Sequence, residues 1–310
     1  MNIKKIGLTA LAGSLVAVAS HAGEMSVAGG ASMGVKNNTG TDGGKSWTMG
    51  NQLTFTGGGE LDNGINVALS FIIDQGDDTA AASGPFDSHS ITLSSDDLGT
   101  LVYAGEGASN VAAALDTTAA GDIWDNGFTY TAPTASDSST KTLAYTLPAM
   151  IDGVSLQTSY TGGGTGVEST TAYAVTYTGV EGMSVSYGAG ENGSTTASAQ
   201  GDVTTLKGSY AVGSFTLAAS MTDYDKDSGT DEEVSSFKIS YTVTDDLSIS
   251  YGEETHETSG QSVDEEFDQV SVSYTTGGMT LSFAQTGADG LGNSSTANEE
   301  RWKLGASFAF

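Results

Sequence analysis

Apolar and polar residues alternate one by one along most of the chain, which is the period of a β-strand and not of a helix. In the last ten residues, RWKLGASFAF, one face of such a strand would carry Trp302, Leu304, Ala306, Phe308 and Phe310. We count sixteen runs of this kind after residue 24, and clusters of glycine, serine, threonine and aspartate separate them. The pattern predicts an all-β protein of sixteen strands.

The connections between the runs alternate between short turns and longer polar loops. Short turns include GGELDNG at 58–64 and TDD at 244–246, and the third of the long loops, at 105–138, is the longest. Seven short and eight long connections place both ends of an antiparallel meander on the short-turn side, as in outer-membrane barrels. Because a meander of this size must close to remove its edges, the predicted fold is a transmembrane antiparallel up-and-down β-barrel.

The aromatic residues indicate which face of the strands meets lipid. Ten of the twelve tyrosines fall on the apolar phase, often near the end of a run, where an interfacial girdle would lie. The opposite phase consists mainly of serine, threonine, glycine, alanine, asparagine and glutamine, with Lys207, Lys238, Arg301 and Lys303 among its few charged residues. Such a face would line water.

Residues 1–22 have the pattern of a secretory signal peptide. Lys4 and Lys5 precede an apolar core from Ile6 to Ala19, and small residues stand at the two positions that define a cleavage site. We expect the mature barrel to cover residues 23–310. No later apolar stretch approaches the ~20 residues of a transmembrane helix, and the absence of cysteine excludes disulfide bonds.

The composition is strongly acidic. The full chain has 38 aspartate and glutamate residues against 10 lysine and arginine residues. Loss of the two lysines in the predicted signal peptide would leave a net charge of −30. A negative pore mouth concentrates cations and repels anions over a Debye length of ~8 Å. We therefore expect small cations as partners, and we exclude nucleic acid, which needs a basic surface.

Two motifs indicate binding sites of other kinds. Asp223, Asp225 and Asp227 have the spacing of a calcium loop, although the usual glycine and bidentate glutamate of such loops are missing. Ca²⁺ on acidic loops is therefore one open alternative, and a plain acidic loop is the other. GAGENG at 188–193 matches a dinucleotide-binding pattern, but no helical pattern follows it, so we regard the match as accidental.

Catalysis has little support. With no cysteine and only His89 and His256 after the signal peptide, a nucleophile and base are hard to assemble. His256 stands among Glu253, Glu254 and Glu257, which could bind a metal, but we favour an exposed loop for this segment. We expect no enzymatic activity and no required cofactor.

Several features together resemble the Gram-negative general porins of the alphaproteobacterial type. They are the signal peptide, the sixteen runs, the long loop after GTLVYAGEG, the stretch TLAYTLPAMIDGVSLQTSY and the terminal WKLGASFAF. The resemblance covers residues 23–310 and implies a homotrimeric outer-membrane channel for passive diffusion of small hydrophilic solutes and ions. It also implies that the barrel-assembly machinery reads the C-terminal strand, with Trp302, Phe308 and Phe310 as the signal.

In such porins the third loop folds into the barrel and places acidic residues opposite basic residues of the wall. The acidic candidates are Glu106, Asp116, Asp122 and Asp125, and NVAAALDTTAAG in the same loop could form one short helix. The basic candidates are Lys36, Lys207, Lys238, Arg301 and Lys303. Relatives usually carry an arginine cluster on strands two to four, whereas the inward positions of these strands lack lysine and arginine here. Closure of the barrel would bring Lys36 beside Arg301 and Lys303.

Two alternative functions stay open at this point. A substrate-specific outer-membrane channel would share the architecture but needs a dense basic or aromatic ladder along the lumen, and the sequence shows none. A secreted calcium-binding adhesin built from soluble β-sandwiches would explain the acidity. It would not require sixteen runs with apolar residues on one face only, a terminal phenylalanine or connections of alternating length.

Overall fold

The computed structural model describes residues 23–38, 44–74, 86–105, 110–128, 141–164, 167–193 and 200–310. Sixteen antiparallel strands form one closed barrel in these residues, and β1 pairs with β16 to complete it. This confirms the predicted fold. The predicted signal peptide, residues 1–22, lies outside the described residues. No helix in the described part of the chain is long and apolar enough to cross a membrane.

The strands are β1 (Glu24–Asn38), β2 (Gly44–Glu60), β3 (Asn66–Asp74), β4 (Phe86–Ser95), β5 (Gly99–Ala104), β6 (Thr142–Thr146), β7 (Val154–Thr161), β8 (Thr170–Tyr177), β9 (Met183–Asn192), β10 (Gly201–Val212), β11 (Phe215–Lys226), β12 (Glu232–Thr244), β13 (Leu247–Thr258), β14 (Glu265–Thr276), β15 (Met279–Asp289) and β16 (Glu299–Ala309). Short turns join β2 to β3, β4 to β5, and each later even-numbered strand to the next, as predicted. In two of these turns Gly213 and Gly277 have positive φ angles of 58° and 56°, which glycine adopts without steric cost.

The large apolar side chains lie on the outside of the barrel. Trp47 is 81% exposed, Met49 is 74% exposed, and eight tyrosines of the apolar phase are also exposed. A water-soluble domain would bury such residues. An outward apolar surface on a closed sheet suits lipid, because closure pairs the backbone polar groups that hydrocarbon cannot solvate.

Closure extends to the last residue of the chain. The amide of Gly29 donates to the carbonyl of Phe310 (2.7 Å), and the amide of Phe310 donates to the carbonyl of Gly29 (3.0 Å). The Phe310 ring crowds Gly29, where an added Cβ would lie 2.2 Å from a ring carbon. A side chain at position 29 would therefore displace the terminal ring.

Hydroxyl groups cover much of the inward face and bind one another across neighbouring strands. Oγ1 of Thr142 lies 3.0 Å from that of Thr161, and Oγ of Ser220 lies 2.9 Å from that of Ser236. These pairs satisfy polar groups on the wall without introducing charge. The inner wall is therefore polar, as the opposite phase of the sequence predicts.

The strands from β9 to β15 extend further into the polar loops than the sequence predicts. The predicted loops at 223–234 and 255–266 begin inside strands that continue to Lys226 and Thr258. Beyond the membrane the outward face of a strand also meets polar surroundings, so apolar residues no longer mark that face although the hydrogen-bond ladder continues. The sequence predicts an exposed loop for Glu254 and His256, and this prediction is wrong. Both residues lie on the inward face of β13 and are 1% and 2% exposed.

The opposed faces of β14 provide a test of membrane orientation. We expect Val272→Arg to destabilise the folded barrel by about 2–4 kcal/mol, because it places a charge on the lipid side of the wall. Ser273→Arg, one residue later and on the inward face, should have a much smaller effect. The measurement is the free energy of unfolding from lipid vesicles. Equal destabilisation by both variants would contradict the assignment of the two faces.

Candidate functional site

The third long connection, between β5 and β6, lies inside the barrel over its described part. We call residues 110–128 the inner loop. They pack against the inner faces of β7 to β15 and reach Arg301 on β16, which confirms the predicted inward fold of this connection. Within residues 110–121 the predicted short helix is reduced to one 3₁₀ turn, Ala113–Leu115, and a second 3₁₀ turn, Ile123–Asp125, follows it. Glu106, the first acidic candidate, falls outside the described residues.

The first half of the inner loop is fixed by a buried asparagine. Oδ1 of Asn110 accepts hydrogen bonds from the amides of Ala112 (3.0 Å) and Ala113 (2.7 Å), and the amide of Val111 donates to Oγ of Ser159 on β7 (3.0 Å). A small apolar cluster completes this anchor; its buried members are Val111, Ala112, Ala113, Ala172, Ala174, Val203, Tyr224 and Val234. This end of the loop is therefore attached to the wall between β7 and β12.

A second apolar cluster holds the other end of the inner loop. Its buried members are Ala120, Ile123, Phe128, Phe267, Ala288 and Leu291. The rings of Phe128 and Phe267 have centroids 5.7 Å apart, and Leu291 comes from the connection between β15 and β16. The two clusters give the loop small cores of its own within a polar lumen.

Between these clusters, the carboxylate of Glu254 accepts hydrogen bonds from the inner loop. Oε1 accepts from the amide of Ile123 (3.0 Å), Oε2 accepts from the amide of Trp124 (3.2 Å), and the hydroxyl of Thr118 also donates to Oε1. Nε2 of His256 lies 3.8 Å from Oε2. A buried carboxylate is stable only when such donors replace its water.

Glu254 is a positioning residue that the sequence interpretation missed. The signal available was an acidic residue on the inward phase of β13, where the preceding inward positions are Ser250 and Gly252. The alternation predicts a loop here because apolar residues stop after Tyr251. If the alternation is continued past Tyr251, Glu254 and His256 fall on the inward face and face the lumen.

Two of the basic candidates bind the inner loop directly. Nζ of Lys207 donates to the carbonyl of Thr117 (2.5 Å), and Nζ of Lys238 donates to the carbonyl of Ala120 (3.3 Å). The amide of Ala119, between these two contacts, donates to the hydroxyl oxygens of Ser220 and Ser236, both at 2.8 Å. Lys207 and Lys238 thus lie on the inner wall beneath the loop.

The acidic candidates of the inner loop divide into two groups. Asp116 and Asp122 line a small cavity of about 50 Å³ between loop and wall, to which Tyr224 and His256 also contribute. Asp125 is exposed on the second 3₁₀ turn. The structure therefore brings two of the three described candidates together.

Asp122 has an unusual backbone and a perturbed carboxyl group. Its φ angle is 52°, in the left-handed region, and Oδ1 accepts a hydrogen bond from the amide of Thr118 (2.8 Å). Burial raises the pKa of Asp122 above its ordinary value, the bond from Thr118 opposes the rise, and the charge of Glu254 adds to it. This carboxyl group therefore takes up a proton at a higher pH than a free aspartate does.

The other three basic candidates lie together where β1 meets β16. We call Lys36, Arg301 and Lys303 the basic seam. Lys36 and Lys303 are directly paired across the two strands, and Arg301 lies two residues further along the same face of β16. The guanidinium of Arg301 lies 5.3 Å from the ring centroid of Phe128, and Nη2 donates to Oε2 of Glu299 (3.1 Å). The seam thus borders the end of the inner loop.

The predicted calcium loop does not have the geometry that its spacing suggested. Asp223 and Asp225 belong to β11 and share its outward face, while Asp227 follows the strand. Side chains two residues apart on one face of a strand point in the same direction and start roughly 6.6 Å apart, so they do not surround an ion. No group of three or more histidine, aspartate or glutamate side chains in the described residues is arranged to hold a metal ion. Binding of Ca²⁺ on the acidic loops stays a prediction.

The three residues of the predicted assembly signal lie along the outward face of β16. Phe310 is 75% exposed at the short-turn end, and Phe308 lies on the same face. Trp302 lies towards the opposite end, where Nζ of Lys45 is 5.8 Å from its ring centroid. Recognition of these three residues by the barrel-assembly machinery stays a prediction.

Comparison with known proteins agrees with this architecture. The family model described as Gram-negative porin matches residues 7–310. Comparison with curated proteins gave no match. Among solved structures, an anion-selective porin from Comamonas acidovorans is 16% identical, with 93% of this chain and 100% of that chain covered and a TM-score of 0.69.

Two further structures share the fold. OmpF of Salmonella typhi, in complex with daunomycin, is 12% identical, with 94% of this chain and 99% of that chain covered and a TM-score of 0.73. A double mutant of the Rh. blastica porin is 16% identical, with 93% and 100% covered and a TM-score of 0.65. Identities this low establish the fold alone. Because the family match spans nearly the whole chain and the closed barrel agrees with it, this protein belongs to the Gram-negative porin family.

Proposed function

We propose that this porin is a passive outer-membrane channel for small hydrophilic solutes and ions, that it prefers cations, and that it works as a homotrimer without chemical catalysis. The observation that carries the proposal is the inner loop, which narrows the lumen from the side of β7 to β16. The inner wall of β2 to β6 lies on the other side of the barrel. A polar passage bounded by a fixed loop suits diffusion of solutes in water.

The wall opposite the inner loop supports a general channel over a substrate-specific one. Its inward residues include Thr48, Gln52 and Thr54 on β2, Ser70 on β3 and Thr92 on β4. Lysine and arginine are absent from the described inward positions of β2 to β6. Short uncharged side chains can exchange hydrogen bonds with many solutes but provide no ladder for a particular one.

The preference for cations is supported by the balance and placement of charge. Of the few basic residues on the wall, Lys207 and Lys238 donate to loop carbonyls, while the loop itself carries Asp116, Asp122 and Asp125. The excess of acidic residues makes the electrostatic potential of the lumen and its mouth negative. The anion-selective porin from Comamonas acidovorans has a similar fold, so the proposed cation preference rests on charge and not on the fold.

The anchoring of the inner loop supports a constriction of constant size. Hydrogen bonds to a charged acceptor contribute about 1.5–3 kcal/mol each, and Glu254 accepts three of them from the loop. Two apolar clusters fix the loop on either side of this carboxylate. We therefore expect steady open-channel currents and not frequent closures.

The first prediction from this proposal concerns selectivity. Purified protein in planar bilayers should give stepwise conductance, and the reversal potential in a KCl gradient should have the sign of a cation-preferring pore. Anion preference would contradict the electrostatic part of the proposal and leave the channel intact. A current that saturates with one solute would favour a substrate-specific channel, and a complete lack of insertion would contradict the channel itself. The closed barrel excludes the alternative of an adhesin built from β-sandwiches.

The second prediction concerns pH. Because the pKa of Asp122 is raised, its negative charge is lost as pH falls at a higher pH than for an ordinary aspartate. Cation preference should therefore begin to decline above the usual range of aspartate titration. In Asp122→Asn the preference should be lower at neutral pH, and this early part of the decline should be smaller. Identical pH profiles for the two proteins would contradict a role for Asp122 in selectivity.

The third prediction concerns the anchor of the loop. Glu254→Ala removes the acceptor of three hydrogen bonds, so the inner loop should move and the conductance should become larger and noisier. Glu253→Ala is a matched control, because this neighbouring carboxylate is on the outward face and bonds Tyr251. Single-channel recording distinguishes the two. Unchanged current steps in the folded Glu254→Ala variant would show that the loop does not depend on this residue.

A further inference from the structure

The basic seam contains two like charges in direct opposition. Lys36 and Lys303 are paired across β1 and β16, and both belong to the inward phase. Directly opposed residues have Cβ atoms roughly 4.5–5.5 Å apart, and like charges in this arrangement repel each other. Other inward pairs, such as Thr142 with Thr161 and Ser220 with Ser236, are uncharged and bind each other directly, which two lysines cannot do. An anion between them would convert the repulsion into attraction.

Arg301 adds a cation whose position is fixed. Its side chain is largely buried, its guanidinium lies against the ring of Phe128, and one of its nitrogens is held by Glu299. The charges of Lys36, Arg301 and Lys303 together with that of Glu299 sum to two positive charges. An anion with two negative charges would therefore neutralise the group.

Two of these cations, Lys36 and Arg301, lie close to the same residue of the inner loop, Gly127. A Cβ added to Gly127, whose φ angle is 88°, would lie 3.3 Å from Nζ of Lys36 and 3.7 Å from Nη1 of Arg301. The two nitrogens are therefore no more than about 7 Å apart. One small oxyanion can accept from two donors at this separation, since charge-assisted N–H···O bonds are about 2.7–2.9 Å long. A side chain at position 127 would enter this space.

We propose that the basic seam is a binding site for small, doubly charged oxyanions, with inorganic phosphate as the simplest example. The ammonium groups of Lys36 and Lys303 donate as mobile point charges, and the guanidinium of Arg301 supplies a planar, oriented donor. The surrounding acidic residues repel anions, but they act over only ~8 Å at physiological salt. The site therefore captures anions locally, within a lumen that otherwise favours cations. It rests on the proposed function, because the pore is the route by which the anion arrives.

The test measures potassium current through the full-length porin while inorganic phosphate replaces chloride at constant ionic strength and mildly alkaline pH. We expect the current to fall and to saturate at millimolar phosphate. The variant Lys36→Gln/Lys303→Gln should require at least tenfold more phosphate for the same effect. Lys45→Gln is the matched control, since this lysine lies nearby on β2 but on the outward face.

Each outcome bears on a defined part of the proposal. A fall in current that does not saturate, or one that is equal in all variants, would overturn the anion site while the channel stands. Absence of current steps in the unmodified protein would instead overturn the proposed function. If the double variant does not fold, Lys303→Gln alone is the test, because Lys303 is exposed and its replacement disturbs little packing. A phosphate response unchanged in that variant would overturn the role of Lys303.

Discussion

The requirement that every backbone amide and carbonyl in hydrocarbon has a partner governs the whole structure. A sheet meets it only when its first and last strands pair, and here the pairing of β1 with β16 continues to the bonds between Gly29 and Phe310. Closure separates two environments with opposite demands. The outer face must be apolar to meet lipid, and the inner face must be polar to meet water.

The same closure leaves the protein without a conventional core, so the inner loop is held by other means. Two small apolar clusters and the buried carboxylate of Glu254 attach it to the wall. The arrangement resembles the interior of a soluble domain on a reduced scale, with apolar contacts for burial and one charged acceptor for orientation. A loop fixed in this way can narrow a water-filled passage without blocking it.

Closure also brings together charges that are distant in the sequence. Lys36 and Lys303 become neighbours because they stand near the two ends of the chain, and the inner loop reaches them at Gly127. On the other side, Lys207 and Lys238 donate to loop carbonyls. The electrostatics of the lumen therefore depend on which basic groups the loop covers as much as on the number of charges.

The sequence by itself determined the number of strands, the direction of their faces, the pairing of the first and last strands and the inward fold of the third connection, the last through resemblance to a family. The strands and their faces can be predicted from the alternation because lipid and water impose opposite preferences on successive residues. Tertiary structure alone decided the roles of Glu254 and His256, the position of Arg301 against Phe128 and the extension of β11 and β13 beyond the apolar pattern. Where the outward face of a strand is no longer in lipid, the contrast between lipid and water that marks the two faces is lost. Contacts between loop and wall depend on the curvature and register of strands far apart in the chain.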